Sequence, residues 1–83
     1  MEPDLPLVVR KQLEAVPRAD AARLLNRLVA IAAKPAEQHP NVVALVGQPG
    51  TFRVRQGDWR AVFSIADGKV VVIAIGHRRE IYR

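Results

Sequence analysis

The segment GHRREIYR (residues 76–83) contains several residue types that can act on a phosphodiester. His77 can transfer a proton near neutral pH, and Arg78 and Arg79 can each donate paired hydrogen bonds to phosphate oxygens. Tyr82 can stack on a base or donate a hydrogen bond from its hydroxyl. The alternative is a solvated tail packed on the edge of a sheet, and the residue types alone favour it.

A second basic set precedes the tail in two alternating segments. Arg53 and Arg55 alternate with apolar residues in TFRVR, and Arg60 does so in WRAVFSIA. Such alternation predicts strands with one apolar and one polar face. A loop of two residues (Gln56-Gly57) or of four places all three arginines on one face, whereas three residues would mix the classes. We predict an even loop, because an unpaired charge in the core costs several kcal/mol.

The next turn is specified by Asp67-Gly68 between apolar runs. Both residues tolerate the positive φ of a type I′ turn, and this dipeptide is the strongest short hairpin signal. A two-residue loop pairs Ala66 with Lys69, Phe63 with Val72 and Arg60 with Ile75.

The run from Val70 to Ile75 is apolar at every position, which predicts a central strand with both faces partly covered. The helices upstream can cover one face. We predict that the other face is a binding surface, where apolar residues surround the arginines. These apolar residues are Val62, Val71, Ile73 and Ile75.

Two amphipathic helices precede the sheet. Val9, Leu13 and Val16 share one face of a short helix, and Pro17 ends it. The second helix, residues 18–33, ends before Lys34-Pro35, and its apolar stripe consists of Ala21, Leu24, Leu25, Leu28 and Ile31. Residues 1–8 are expected to be poorly ordered, and residues 42–46 to form either a short strand or an extended entry into the sheet. We therefore predict one α+β domain, 1–83, with a helix pair on one face of a three- to four-stranded antiparallel sheet.

Charge and composition restrict the possible functions. Residues 1–49 hold six basic and five acidic side chains, net +1, and residues 50–83 hold seven and three, net +4. This excess suits a polyanion such as nucleic acid or an acidic protein, or it deters edge aggregation of the sheet. The chain has no cysteine and two separated histidines, so we expect no disulfide, metal or cofactor. Without an apolar run of membrane-spanning length, a cytoplasmic protein is expected.

The order of these patterns resembles toxins of the RelE branch of the RelE/ParE superfamily. The similar segments are FRVR, GDWRAVF and DGKVVVIAIGHRREIYR, together with the helix pair that has VP between its helices and KP after them. The resemblance covers about residues 9–83. It implies a small α+β toxin of a type II toxin-antitoxin system, neutralised by a small, acidic antitoxin with a DNA-binding half. RelE members bind the ribosomal A site and cleave mRNA there, whereas ParE members inhibit DNA gyrase.

The resemblance implies endoribonuclease chemistry, in which the ribose 2′-hydroxyl attacks the adjacent phosphate. Arginine can stabilise the charge at phosphorus but is a poor base, so His77 is added as a candidate base or acid. The predicted catalytic residues are Arg53, Arg55, Arg60, His77, Arg79 and Tyr82. The predicted RNA-binding residues are Arg53, Arg55, Arg60, Arg78 and Arg79. The predicted antitoxin-binding residues are Arg60, Val62, Ile73 and Ile75.

Two other functions stay open at this point. One is a non-catalytic, ParE-like gyrase inhibitor, and the other is an inactive truncated toxin that only binds its antitoxin. The second follows from the N-terminus, where the family's usual first strand is replaced by a short apolar stretch, residues 5–9, interrupted by Pro6. The first strand is therefore expected to be short or missing.

Overall fold

The computed structural model describes residues 2–81, which form two helices followed by a four-stranded sheet. The elements are α1 (Leu7–Glu14), α2 (Arg18–Ala33), β1 (Val42–Ala44), β2 (Thr51–Gln56), β3 (Trp59–Ala66) and β4 (Lys69–His77). The strands are antiparallel to their neighbours and lie in the order β1-β2-β3-β4. This confirms the predicted α+β class. Within residues 2–81, no helix has the length and apolar character needed to cross a membrane.

Prolines set the beginnings of both helices. Pro6 and Pro17 immediately precede α1 and α2, and their carbonyl oxygens accept hydrogen bonds from Arg10 N (3.0 Å) and Ala21 N (2.8 Å). Proline suits a helix start because its φ is already fixed and its missing N–H would have no partner inside the helix. Helix α2 ends at Ala33 because the residue after it precedes another proline, which disfavours helical geometry.

The core lies between the helix pair and one face of the sheet. Phe63, in the middle of β3, is completely buried. The other core residues are Val9, Val16, Leu24, Leu28, Ile31 and Ala32 from the helical half and Val54, Ala61, Val70, Val72 and Ile75 from the sheet. No polar or charged side chain among residues 2–81 is buried in this core. Most residues of the two predicted helix stripes therefore lie in the core, while Leu13 and Ala21 pack against it and Leu25 is half-buried.

The residues of the β2–β3 hairpin lie on the predicted faces of the sheet. Arg55 pairs with Arg60 and Arg53 with Val62, around a two-residue loop of Gly57 and Asp58. The loop lies one residue later than Gln56-Gly57, and Gly57 takes the positive φ (59°) that such a tight loop needs at its first position. Paired residues share a side of the sheet, so the three arginines lie together. We call this side the arginine face.

The β3–β4 hairpin follows the predicted turn but not the whole predicted register. Asp67 and Gly68 have φ of 54° and 73°, as a type I′ turn requires. The predicted pairs Ala66–Lys69 and Phe63–Val72 are present, but Arg60 pairs with Gly76 and not with Ile75. The register shifts beside Val62, where two residues of β4, Ile73 and Ala74, face one residue of β3. This is a β-bulge.

The bulge moves the end of β4 by one residue and so exchanges its faces. Ile75 pairs with Ala61 on the helix-covered side and is only 4% exposed. Its predicted place on the arginine face is therefore wrong. His77 pairs with Trp59 and lies on the same helix-covered side. An uninterrupted register would have put both residues on the arginine face.

The outer edge of β4 is covered by the N-terminal segment. Asp4 forms a single parallel bridge there, with Asp4 N donating to Val70 O (2.9 Å) and Val72 N to Asp4 O (2.9 Å). Further along, the amide oxygen Oε1 of Gln12 in α1 accepts a hydrogen bond from Ile75 N (2.8 Å). The first strand, expected to be short or missing, is therefore a single bridge, and the side chain of Gln12 makes a further hydrogen bond along this edge.

Replacing Gln12 with leucine should reduce the free energy of unfolding by about 1–3 kcal/mol, because the partly buried N–H of Ile75 loses its acceptor. Urea unfolding followed by circular dichroism measures this loss. Lys11→Ala, on the exposed side of the same helix, is the matched control and should change stability by less than about 0.5 kcal/mol. Equal stability of both variants would show that water replaces the amide.

Candidate functional site

The arginine face is built from strand alternation. Arg55 and Arg60 lie directly opposite each other on β2 and β3, and Arg53 lies two residues along on the same side. Directly opposite residues have Cβ atoms about 4.5–5.5 Å apart, and like charges in such a pair are destabilising. A cluster of cations that opposes folding in this way has a physical use if a polyanion neutralises it. The geometry therefore fits an anion-binding surface.

Arg60 is held in a defined position by its own hairpin. Its Nη1 donates to Gly57 O (2.7 Å) and to Trp59 O (3.1 Å), and the residue is half-buried. An arginine anchored through one nitrogen keeps the planar fork of its guanidinium in one orientation. This anchoring lowers the conformational entropy that the side chain would lose on binding phosphate.

The tail returns to the same hairpin end through Arg78. Arg78 N donates to Asp58 O (2.8 Å), and Arg78 Nε lies 3.4 Å from Asp58 Oδ1. Asp58 is the second residue of the β2–β3 loop, next to the strand that begins at Trp59. The structure thus brings Arg78 to the end of the sheet that carries Arg55 and Arg60.

His77 has different surroundings from the arginines. Its ring meets the ring of Trp59 edge-on, with centroids 5.4 Å apart and planes at 89°. Its Nδ1 accepts a hydrogen bond from Arg79 N (3.2 Å). A backbone N–H can only donate, so the neutral ring carries its proton on Nε2. The structure does not bring His77 together with the arginine face.

A short turn follows His77. Glu80 N and Ile81 N both donate to His77 O, at 2.9 and 3.0 Å, and Arg79 within the turn has an exposed side chain. Gln12, Trp59 and this turn line an open pocket of about 400 Å³ on the helix side. Tyr82, the last of the predicted catalytic residues, lies outside the described residues.

The apolar part of the arginine face lies beside the bulge. Ile73 is 50% exposed, Val71 is half-buried, and Val62 is buried at the side of the arginines. Of the predicted antitoxin-binding residues, Arg60, Val62 and Ile73 are therefore near one another on this face. Ile75 is not among them, because the bulge turns it into the core.

One cavity lies away from the arginine face and could not be predicted from the sequence patterns. A cleft of about 440 Å³ lies between the end of α2 and strands β1 to β3. Phe52 and Phe63, stacked with ring centroids 5.7 Å apart, form part of its lining. His39 is half-buried there, with Nε2 2.8 Å from Lys34 O. Within residues 2–81, no group of three or more His, Cys, Asp or Glu side chains is placed to hold a metal ion.

Residues 7–82 match the family model described as the ParE toxin of type II toxin-antitoxin systems, parDE. The chain belongs to this family. Its members lie within the RelE/ParE superfamily, so the predicted superfamily is confirmed and the chain is the toxin of a type II toxin-antitoxin system. No curated protein has a significantly similar sequence.

This ParE-family toxin has the fold of solved RelE structures. The RelB-RelE antitoxin-toxin complex from Methanococcus jannaschii superposes with a TM-score of 0.79 at 17% identity, over 92% of this chain and 91% of that one. The archaeal RelE-RelB complex from Pyrococcus horikoshii OT3 gives 0.77 at 23% identity, over 95% and 96%. Free Escherichia coli RelE, a variant with two arginines replaced by alanine, gives 0.76 at 22% identity, over 98% and 86%. These likenesses concern the fold.

Proposed function

We propose that this toxin is a ribosome-dependent mRNA endonuclease that arrests translation by cutting mRNA in the A site. The observation that supports the proposal is the row formed by Arg53, Arg55 and Arg60, with Arg60 fixed by two carbonyl oxygens of its own hairpin. A surface that only attracts nucleic acid does not need a held guanidinium. A surface that stabilises the charge on one phosphate in a transition state needs a guanidinium held in a fixed position.

The reaction that suits this surface is an internal attack on the RNA backbone. The ribose 2′-oxygen forms a bond to the adjacent phosphorus, the bond from phosphorus to the 5′-oxygen breaks, and the proton lost from the 2′-hydroxyl is matched by one gained at the 5′-oxygen. The products are a cyclic phosphate and a 5′-hydroxyl. Extra negative charge develops at phosphorus during the attack, and Arg53, Arg55 and Arg60 stabilise it.

The two proton transfers need groups other than these arginines, since a guanidinium stays protonated. Within the predicted catalytic set, only His77 and Tyr82 can exchange a proton. His77 lies against Trp59 on the helix side and uses Nδ1 to accept from Arg79 N. Tyr82 is therefore our candidate for proton transfer or for stacking the base beside the cut.

A second candidate function is inhibition of DNA gyrase without RNA cleavage. Residues 7–82 match the ParE family model. This match favours gyrase inhibition, because ParE members of the RelE/ParE superfamily act on gyrase. In that case the arginine face would contact an acidic protein surface. The catalytic and gyrase-binding functions predict different first effects in cells.

Pulse labelling within minutes of inducing the toxin alone separates these functions. A fall in amino-acid incorporation before thymidine incorporation supports the endonuclease, and the reverse order supports the gyrase inhibitor. If neither changes, the chain is an inactive toxin. For the endonuclease, mRNA with a 2′-deoxyribose at the cut position should resist cleavage on purified ribosomes.

We also propose that an acidic antitoxin neutralises this toxin by covering the apolar part of the arginine face. Ile73→Asp should weaken antitoxin binding at least tenfold, because Ile73 is 50% exposed and a carboxylate there repels an acidic partner. Isothermal titration calorimetry with the co-expressed antitoxin measures this. Val29→Asp, at a similarly exposed residue (43%) of helix α2, is the control and should leave the affinity within about twofold. Equal loss in both variants would contradict this docking surface.

A further inference from the structure

We propose that Asp58 and His77 are positioning residues that fix the tail arginines, Arg78 and Arg79, for the cleavage reaction. This inference rests on the proposed function, since it concerns how the same site is assembled. We call the set formed by Asp58, Trp59 and His77 the tail clasp. It connects the β2–β3 loop to the turn after β4.

One half of the clasp is Asp58. It holds Arg78 twice, with its backbone oxygen at 2.8 Å from Arg78 N and its carboxylate at 3.4 Å from Arg78 Nε. The first contact fixes the backbone of the tail next to the loop. The second selects one direction for a side chain that otherwise has many rotamers.

The other half is His77, held between Trp59 and the tail. The ring of Trp59 meets it edge-on, and its Nδ1 accepts from Arg79 N. This bond, from a side chain to the backbone N–H two residues later, makes the chain turn at Arg79. His77 O supports the turn through Glu80 N and Ile81 N. His77 therefore sets the path of the tail from the opposite side of the sheet.

The Asp58 carboxylate is better explained by positioning than by stability or by charge. The two side chains of the ion pair are 50% and 63% exposed, and exposed pairs contribute little to folding. An acid beside a cluster of arginines also reduces their attraction for RNA. The carboxylate has the advantage that it directs Arg78 toward the reacting phosphate, and small misplacements of such a group reduce reaction rates strongly. This advantage offsets the small gain in stability and the weaker attraction for RNA.

Asp58→Asn tests the first half in single-turnover cleavage of mRNA on purified ribosomes. The maximal rate should fall about tenfold, while the toxin concentration for half-maximal rate stays the same or falls, since the variant has one negative charge fewer. The melting temperature should stay within about 2 °C, and Asp58→Glu should recover part of the rate. An unchanged or higher maximal rate would overturn the inference and make Asp58 a competitor of the RNA phosphate.

His77→Asn against His77→Ala tests the second half. The carboxamide oxygen of asparagine can accept the N–H two residues later but cannot exchange protons in the reaction. Positioning predicts that His77→Asn keeps most of the maximal rate, whereas His77→Ala loses about tenfold. Equal, large losses in both would make His77 a proton-transfer residue and overturn its place in the clasp.

Limited trypsin digestion tests the clasp without ribosomes. Asp58→Asn and His77→Ala should be cut after Arg78 or Arg79 several times faster than the wild type, with unchanged cutting after Arg23 in α2. Equal cutting of the tail in all three proteins would overturn the clasp even if mRNA is cleaved. If the tail is cut faster but the wild type cleaves no mRNA, the clasp stands as structure and the proposed function fails.

Discussion

Replacement of Arg60 by alanine is expected to reduce mRNA cleavage by about two to three orders of magnitude, the usual effect of removing one preorganised group that stabilises transition-state charge. The guanidinium of Arg60 is held to its own hairpin through Gly57 O and Trp59 O. The loss of these bonds should lower the free energy of unfolding by only about 1 kcal/mol. Activity and stability should therefore separate.

The measurement is single-turnover cleavage on programmed ribosomes, paired with urea unfolding of the same protein. Arg60→Lys keeps the charge but not the fork, so it should recover less than a tenth of the lost rate. Arg23→Ala, on an exposed part of α2, is the control and should cleave at the wild-type rate. A tenfold or smaller effect of Arg60→Ala would argue that the row attracts RNA without taking part in the reaction.

Phe63→Ala is expected to destabilise the domain by about 3–5 kcal/mol, the range found for deleting a buried aromatic ring. Phe63 is completely buried at the centre of β3 and stacks on Phe52, so its removal opens a cavity where the helices meet the sheet. A domain of 83 residues has a small core and little stability to lose. Much of the variant should be unfolded at 37 °C.

Urea unfolding and the thermal midpoint measure this effect. Phe63→Leu fills most of the space and should lose clearly less than the alanine variant. Val46→Ala, at a fully exposed position, should be neutral. Co-expression with the antitoxin should raise the midpoint of Phe63→Ala, since a ligand that binds only the folded state stabilises it. A loss below about 1.5 kcal/mol would mean that the helices collapse into the cavity.

The fold and the arginine row could be predicted because several sequence signals agreed. Apolar and basic residues alternate in β2 and β3, so a pairing shifted by one residue would bury an arginine. This constraint predicted that Arg53, Arg55 and Arg60 share one face of the sheet. The prolines before and after the second helix fixed both of its limits, whereas the first helix ends two residues before the predicted Val16. Each of these signals comes from local geometry, which the chain specifies directly.

The bulge at Ile73 could not be predicted in the same way. The run VVVIAI in β4 is apolar on both faces, so shifting the register exposes no charge and leaves no signal. The inserted residue nevertheless decides which of Ile75 and Gly76 enters the core. It also decides on which side the tail begins, and so separates His77 from the arginines. Ile75, whose face was predicted wrongly, lies two residues beyond this position.

The tail clasp was hidden for a different reason. The residue types were recognised as capable of chemistry, but their contacts depend on a loop about 20 residues earlier in the sequence. Aspartate is common in tight turns because its side chain stabilises the turn itself. Its presence in this loop therefore does not indicate an ion pair with Arg78. Only the pairing of Trp59 with His77 brings the two segments together.

The cover on the outer edge of β4 has a consequence for how the toxin is made. Gln12 and Ile75 are 63 positions apart, and Asp4 contacts the same strand. Helix α1 is translated early, yet it packs mainly against β4, the last strand of the sheet, so most of its tertiary contacts cannot form until β4 has been translated. Long sequence separation of this kind delays folding. The nascent toxin therefore cannot complete its fold until its last strand has left the ribosome.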